Sequence, residues 1–252
     1  MNKRTIHIIG NEFTRDFYRE DLNAWWTYRL GIYENYCLAS IKNQTNKNFV
    51  LFMMLKGYST NFKDKIEQML IDSKLKYVIQ IIGETSIEEA LKQYLDNIDV
   101  VYHTRIDSDD MFHYDVVNEI QSYEYEERRA LLFSKGYCYD CRRNKLQHYY
   151  MPAPPFSTIM YPIETYLDEE KQDEYKGFKS HDAIGSTMKL IRLSENKFIV
   201  NVHDTNRITI YHDDRTIFKG HESETEIPAD QVDNILNDFG ISSMTYKLKM
   251  QQ

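Results

Sequence analysis

The stretch Ile98-Asp99-Val100-Val101-Tyr102-His103-Thr104-Arg105-Ile106-Asp107-Ser108-Asp109-Asp110 decides the reading of this chain. Ile98 to Tyr102 is an apolar run, and Ile98 to Arg105 has the length of a strand. The run ends in three clustered carboxylates, which packing does not explain. Carboxylates this close repel, and each resists ionising beside the others. A divalent cation relieves that repulsion. Hard cations such as Mg²⁺ and Mn²⁺ take oxygen ligands from one or two carboxylates together with substrate phosphates. The stretch therefore predicts a strand whose carboxyl end holds a metal against a diphosphate. The alternative is a capping cluster for a helix expected over Asp115 to Tyr125, where Asp favours the N-terminus. Asp110 suits that alternative well.

Upstream, apolar strands alternate with helical patterns. Thr5 to Ile9 reads as a strand, and Asp16 to Asn43 is helical, with Gly31 as a possible interruption. Phe49 to Leu55 is an apolar strand, Asn61 to Ser73 a helix, and Tyr77 to Ile82 a strand bounded by Gly83. Ser86 to Leu95 is a helix that Thr85 or Ser86 can cap. Such alternation, with strands apolar throughout, predicts an α/β fold: a mostly parallel sheet with helices on both faces. Ligands of such sheets sit outside the carboxyl ends of the strands. That is where Asp107 and Asp109 fall, and Gly10-Asn11, read as the turn after the first strand, should lie near a bound nucleotide. Arg105 can pair with a carboxylate or a phosphate oxygen. Arg29 is a second candidate cation for that role, although exposure is the default for an arginine.

The second half is less regular. Leu131 to Tyr139 and Leu146 to Tyr150 read as a hairpin or as two short strands, and Met151 to Pro155 as a stiff extended loop. Phe156 to Tyr161 reads as a strand, Asp182 to Leu190 as a short helix, and Lys197 to His203 as a strand. Pro228 to Phe239 is a final helix with Gly240 just past its end. The expected division is a domain over 1–210 and a C-terminal appendage with one helix over 211–252.

Composition narrows the function. The chain has 252 residues, 42% hydrophobic and 28% charged, with a formal net charge of −8. That charge disfavours a bulk electrostatic grip on nucleic acid, although Arg128, Arg129, Arg142, Arg143 and Lys145 could form a local basic patch. No apolar run approaches the ~18 residues of a membrane span, and the N-terminal apolar stretch is too short for a signal-peptide core. The expected location is cytoplasmic. The three cysteines, Cys37, Cys138 and Cys141, argue against a disulfide framework. Cys138 and Cys141 make only half a zinc site and read as reduced thiols.

Four segments carry a family resemblance. The first is Trp26 to Arg29 with Ile32 to Ile41, Gln44-Thr45 and the strand from Phe49. The second is Thr104-Arg105-Ile106-Asp107-Ser108-Asp109-Asp110. The third ends in Pro155-Phe156-Ser157, and the fourth is Ser180-His181-Asp182 with Val202-His203-Asp204-Thr205-Asn206 behind it. Together, over roughly Trp25 to Asn206, they resemble the rhamnosyltransferase group of GT-A-type nucleotide-sugar glycosyltransferases. The resemblance implies a GT-A-like, Rossmann-like fold, a nucleoside-diphosphate sugar as donor, Mn²⁺ or Mg²⁺ as cofactor, and a hydroxyl-bearing glycan or small molecule as acceptor. Asp107 then faces the nucleoside sugar or the metal, Asp109 ligates the metal, and His203 matches a late third ligand, although a surface histidine is equally ordinary. Asp182 becomes the candidate general base of an inverting transfer, with His181 as substitute or acceptor-orienting group; an N-cap aspartate is the plain alternative. Replacing Asp109 by Ala should then abolish metal-dependent donor binding and leave the fold intact. Two rival readings use the same acidic cluster: a phosphohydrolase or nucleotidyltransferase, and a sugar- or nucleotide-binding module without turnover.

Overall fold

The computed structural model describes residues 3–13, 21–152, 156–177, 181–204, 211 and 222–241. Its centre is a seven-stranded sheet built on β1 (Thr5–Phe13), β2 (Val50–Leu55), β3 (Tyr77–Ile81) and β4 (Val100–Arg105). β6 (Arg129–Leu132), β9 (Ser157–Pro162) and β10 (Lys189–Arg192) complete it, in the order β10-β6-β9-β4-β1-β2-β3. Only β9 runs against its neighbours, pairing antiparallel with β4 and β6, so the expected mostly parallel α/β sheet is what forms.

Side-chain alternation explains why these strands are apolar throughout. Leu51, Met53 and Leu55 pack with Trp26, Leu30, Ile66 and Leu70 on one face. Val50 and Phe52 pack with Ile87, Leu91 and Tyr166 on the other. The first face is covered by α1 (Leu22–Ile32), α2 (Leu38–Lys42), α3 (Lys63–Ser73) and α5 (Val116–Gln121). The second carries α4 (Ile87–Leu91), α6 (Ile163–Tyr166) and α7 (Glu169–Lys176). Both faces are therefore dry, as a parallel sheet requires. Caps fall where local chemistry puts them: Asp21 accepts from the Ala24 N–H and Ser86 from the Glu89 N–H.

The long first helix is broken differently from expectation. Gly31 lies inside α1, and a π-helical turn over Tyr33–Cys37 joins α1 to α2. The extra residue rotates the helix, so Tyr33, Cys37 and Ile41 face the sheet while Ile32 and Tyr36 face a second apolar cluster.

That cluster lies under a five-stranded sheet the sequence did not announce, of order β12-β8-β7-β11-β5. Its strands are β5 (Met111–Phe112), β7 (Lys135–Asp140), β8 (Lys145–Tyr150), β11 (Phe198–Val202) and β12 (Glu222–Glu226). The expected run from Leu131 to Tyr139 is in fact divided: β6 pairs with β9 in the central sheet, while β7 turns back onto β8 as the expected hairpin. The final helix, α8 (Ala229–Asp238), lays Val232 and Leu236 against Tyr137, Tyr139 and Ile199.

Two further expectations are corrected. Asp182 to Leu190 is not one helix: a 3-10 turn spans His181–Ser186, and Leu190 and Ile191 enter β10 to pair with Ala130 and Leu131. Strand pairing at the sheet edge overrides local helical pattern. The basic patch does not stand free either. Arg129 pairs with Glu126, Arg142 and Arg143 with the buried Asp140, and Lys145 with Glu226. Cys37, Cys138 and Cys141 are buried, and none of them is in a disulfide. No helix among the described residues is long and apolar enough to cross a membrane.

Candidate functional site

The site forms where β4 ends. The Asp110 N–H donates to the Asp107 carbonyl at 3.1 Å, closing a tight turn over Asp107 to Asp110. β1 fixes the start of that turn. The Ile106 N–H donates to the Gly10 carbonyl, and the Asn11 side chain donates to the Ile106 carbonyl at 2.9 Å. Gly10 and Asn11 are thus not a turn: β1 continues to Phe13 because Asn11 to Phe13 pair with Met53 to Leu55 of β2. Gly10 answers a close approach, since a Cβ there would meet His103 Nε2 at 2.4 Å. Asn11 is fully buried, and its amide braces the acidic turn from beneath.

Each carboxylate of the turn has its own partner. Asp107, half-exposed, accepts from Arg105 Nη2 at 2.9 Å. Asp109 Oδ2 accepts from Arg29 Nη1 at 2.9 Å and lies 3.0 Å from His203 Nε2. Asp110 is buried, and its Oδ1 accepts the Asn201 N–H at 3.0 Å. Asp110 is therefore not a helix cap. It fastens β11 to the acidic turn, and β11 then delivers His203 onto Asp109. The following helix, α5, begins later and is shorter than expected.

Arg29 is the residue that sequence reasoning misplaced. Its side chain is only 14% exposed, and its guanidinium spans the site. Nη1 lies 2.9 Å from both Asp109 Oδ2 and His203 Nε2, and Nη2 donates to Ser108 Oγ at 2.9 Å. A buried arginine needs an acidic partner, and that partner stands far away in sequence.

The electrostatics follow from these contacts. Burial works against the Asp109 carboxylate, but the Arg29 charge and the His203 and Arg29 hydrogen bonds outweigh it and hold its pKa well below the usual range. Asp110 moves the other way, pushed well up by burial and by the negative Asp109 and Asp107. For Arg29 and Arg105, burial opposes the charge, yet Asp109 and Asp107 respectively hold both guanidinium groups more firmly protonated than usual.

The expected three-residue metal set does not assemble. Asp107 turns to Arg105, and among the described residues no group of three or more His, Cys, Asp or Glu side chains is arranged for a metal ion. The Asp109–His203 pair does fit a divalent cation that takes its remaining ligands from phosphates and water. Arg29 Nη1 touches both of those donor atoms. His181 and Asp182 lie in the 3-10 turn, and their side chains fall outside the described residues, as do Pro155, Ser180, Thr205 and Asn206.

The family described as "Putative rhamnosyl transferase" matches residues 16–211, most of the chain. The chain belongs to this family of glycosyltransferases. The acidic turn, Arg29 and His203 of this rhamnosyl transferase family member all lie inside the matched region. Among solved structures, S. aureus TarS 1–349 in complex with UDP-GlcNAc is similar at 12% identity and TM-score 0.47, over 80% of this chain and 60% of that one. The complex of the same protein with UDP is similar at 14% identity and TM-score 0.43, over 78% and 60%. The chain thus spans less than two thirds of the length of these structures. No curated protein matches.

Proposed function

We propose that the protein is a metal-dependent glycosyltransferase that moves a sugar, with inversion, from a nucleoside-diphosphate donor to a hydroxyl acceptor. One observation carries the reading: Asp109 and His203, far apart in sequence, meet at 3.0 Å outside the carboxyl end of β4, where ligands of parallel sheets bind. Asp109 and His203 would hold Mn²⁺ or Mg²⁺, and the bound ion would supply Lewis-acid neutralisation of the departing diphosphate. Asp107 and Arg105, at the rim of the turn, would meet the nucleoside sugar and a phosphate oxygen. Gly10 and Asn11 would serve this site by supporting the turn rather than by touching the nucleotide.

In the transfer the acceptor oxygen bonds to the anomeric carbon as the bond from that carbon to the diphosphate oxygen breaks. The hydroxyl proton passes to a carboxylate, for which Asp182 is the candidate, with His181 as acceptor-orienting group. Nucleoside diphosphate leaves. Family membership and the position of the acidic turn after the fourth strand favour transfer over hydrolysis. Within this reading residues 1–210 are the catalytic domain, and 211–252 form an appendage whose described part braces β7, β8 and β11.

A melting screen of nucleotides and nucleotide sugars with and without Mn²⁺ tests donor and cation together. A ligand at a hundred times its Kd stabilises by about 2.7 kcal/mol, or roughly 5–10 °C in a domain of this size. The matching activity is acceptor-dependent release of nucleoside diphosphate. Release that is equally fast without any acceptor would replace the transferase reading with the hydrolase one.

A further inference from the structure

The atom that touches both Asp109 Oδ2 and His203 Nε2 is Arg29 Nη1, at 2.9 Å from each. A guanidinium nitrogen can only donate. The Asp109 oxygen that would face a cation therefore accepts from Arg29, and His203 Nε2 lies equally close to the same guanidinium nitrogen. The side chain is 14% exposed and is held at its other nitrogen by Ser108 Oγ. The acidic turn is already balanced: Arg105 on Asp107, Arg29 on Asp109.

We infer that Arg29 is a built-in competitor for the divalent cation, and that it makes cation binding conditional on the donor diphosphate. This rests on the metal-dependent reading above. A cation reaching Asp109 and His203 must displace a guanidinium that keeps its proton under all working conditions. Cation and displaced arginine then face one Asp109 carboxylate, because Asp107 is already paired. A diphosphate removes the excess: it brings negative charge and offers the freed fork a bidentate partner. Cation and donor should therefore bind as a unit, each raising the affinity for the other by the same factor. Arg29 acts as a positioning residue that keeps the site closed and neutral until the donor arrives.

The test is Mn²⁺ binding to the whole chain, read from the loss of the free-ion electron paramagnetic resonance signal, with and without UDP, GDP or dTDP. Wild type should bind Mn²⁺ weakly alone and about tenfold or more tightly with the matching nucleotide, within the usual range of coupling. Arg29→Gln should bind Mn²⁺ alone about tenfold more tightly than wild type, and its coupling to nucleotide should shrink. If Arg29→Gln binds Mn²⁺ alone no better than wild type, while both bind it with nucleotide, the competitor role is wrong and the metal reading survives. If neither protein takes up Mn²⁺ beside a nucleotide that calorimetry shows to be bound, the metal reading falls and the inference with it. Should Arg29→Gln fail to fold, wild type alone decides: a Mn²⁺ affinity that changes less than twofold with nucleotide overturns the inference.

Discussion

Removing Asp109 should cost the fold as well as the site. Asp109 and Arg29 are 16% and 14% exposed, and they meet at 2.9 Å. Exposed pairs are worth about 0–1 kcal/mol, but removing one partner of a buried pair costs about 3–5 kcal/mol, because the other charge is left uncompensated. The small remaining exposure puts Asp109→Ala near the lower end of the buried range, about 3 kcal/mol, or roughly 6–12 °C of melting temperature. The expectation that this variant keeps its fold untouched is thereby revised. Asp109→Asn keeps an acceptor for Arg29 Nη1 and should lose less, about 1–2 kcal/mol. Arg29→Met with Asp109→Ala leaves no stranded charge and should regain about half of the loss or more. The pair also has a pH signature. Its carboxylate pKa is depressed in the folded state, so its stabilisation is complete above the unfolded value of about 4 and is lost as pH falls through the folded value. The gap between wild type and Asp109→Ala should be flat from pH 5 to 8 and close only in stronger acid. Melting of the four proteins by circular dichroism measures all of this. An Asp109→Ala protein within 2 °C of wild type, or a double variant no better than it, would show that the contact is not a buried ion pair.

Three other outcomes are expected. His7 is buried, accepts from the Gln121 amide at Nδ1 and so donates from Nε2 to Thr104 Oγ1; burial, with a further push from His103, lowers its pKa to about 3. Its share of stability is complete above the unfolded value of about 6.5 and is lost on acidification, roughly 2 kcal/mol between pH 6.5 and 5; the melting temperature of His7→Gln should fall less over that interval, and equal slopes would contradict the assignment. A Cβ on Gly136 would meet the Phe198 carbonyl at 2.4 Å, backbone that cannot swing aside, so Gly136→Ala should cost about 1–3 kcal/mol and, by shifting β11 and its His203, weaken Mn²⁺-dependent donor binding. Asp182→Asn should leave donor affinity unchanged in a calorimetric titration and slow transfer about a hundredfold or more, the usual weight of a general base; normal turnover would remove Asp182 from that role.

How much of this was legible follows from where the determining contacts lie. The core strands could be read because Val50 to Leu55 is apolar on both faces, a property of consecutive residues. The two-residue β5 lies below any periodic signal, while β11 could be read as a strand, although its residues do not name its neighbours β7 and β5. β9 was found as a strand, but its direction depends on partners, β4 and β6, that its own residues do not name. The π-helical turn escaped notice because Tyr33 to Cys37 keep a helical pattern; only packing against two cores shows the added residue.

The acidic cluster shows how far a correct physical demand can be met in an unforeseen way. Three neighbouring carboxylates do need relief, and the sequence says so. The chain supplies three different remedies: Arg105 for Asp107, Arg29 for Asp109, and for Asp110 a buried site that favours the neutral form and fixes the Asn201 N–H. Only one of these lay within two residues of its carboxylate. Arg29 reached the site because Trp26 and Leu30 bury their face of α1 against the sheet and carry the residue between them toward the end of β4. The charge balance called for a cation near the turn, and an arginine on the first helix was available. Default exposure was the wrong prior for Arg29, because a carboxylate cluster at a strand end recruits the nearest cation the fold can bring to it, whether that is an ion or a side chain.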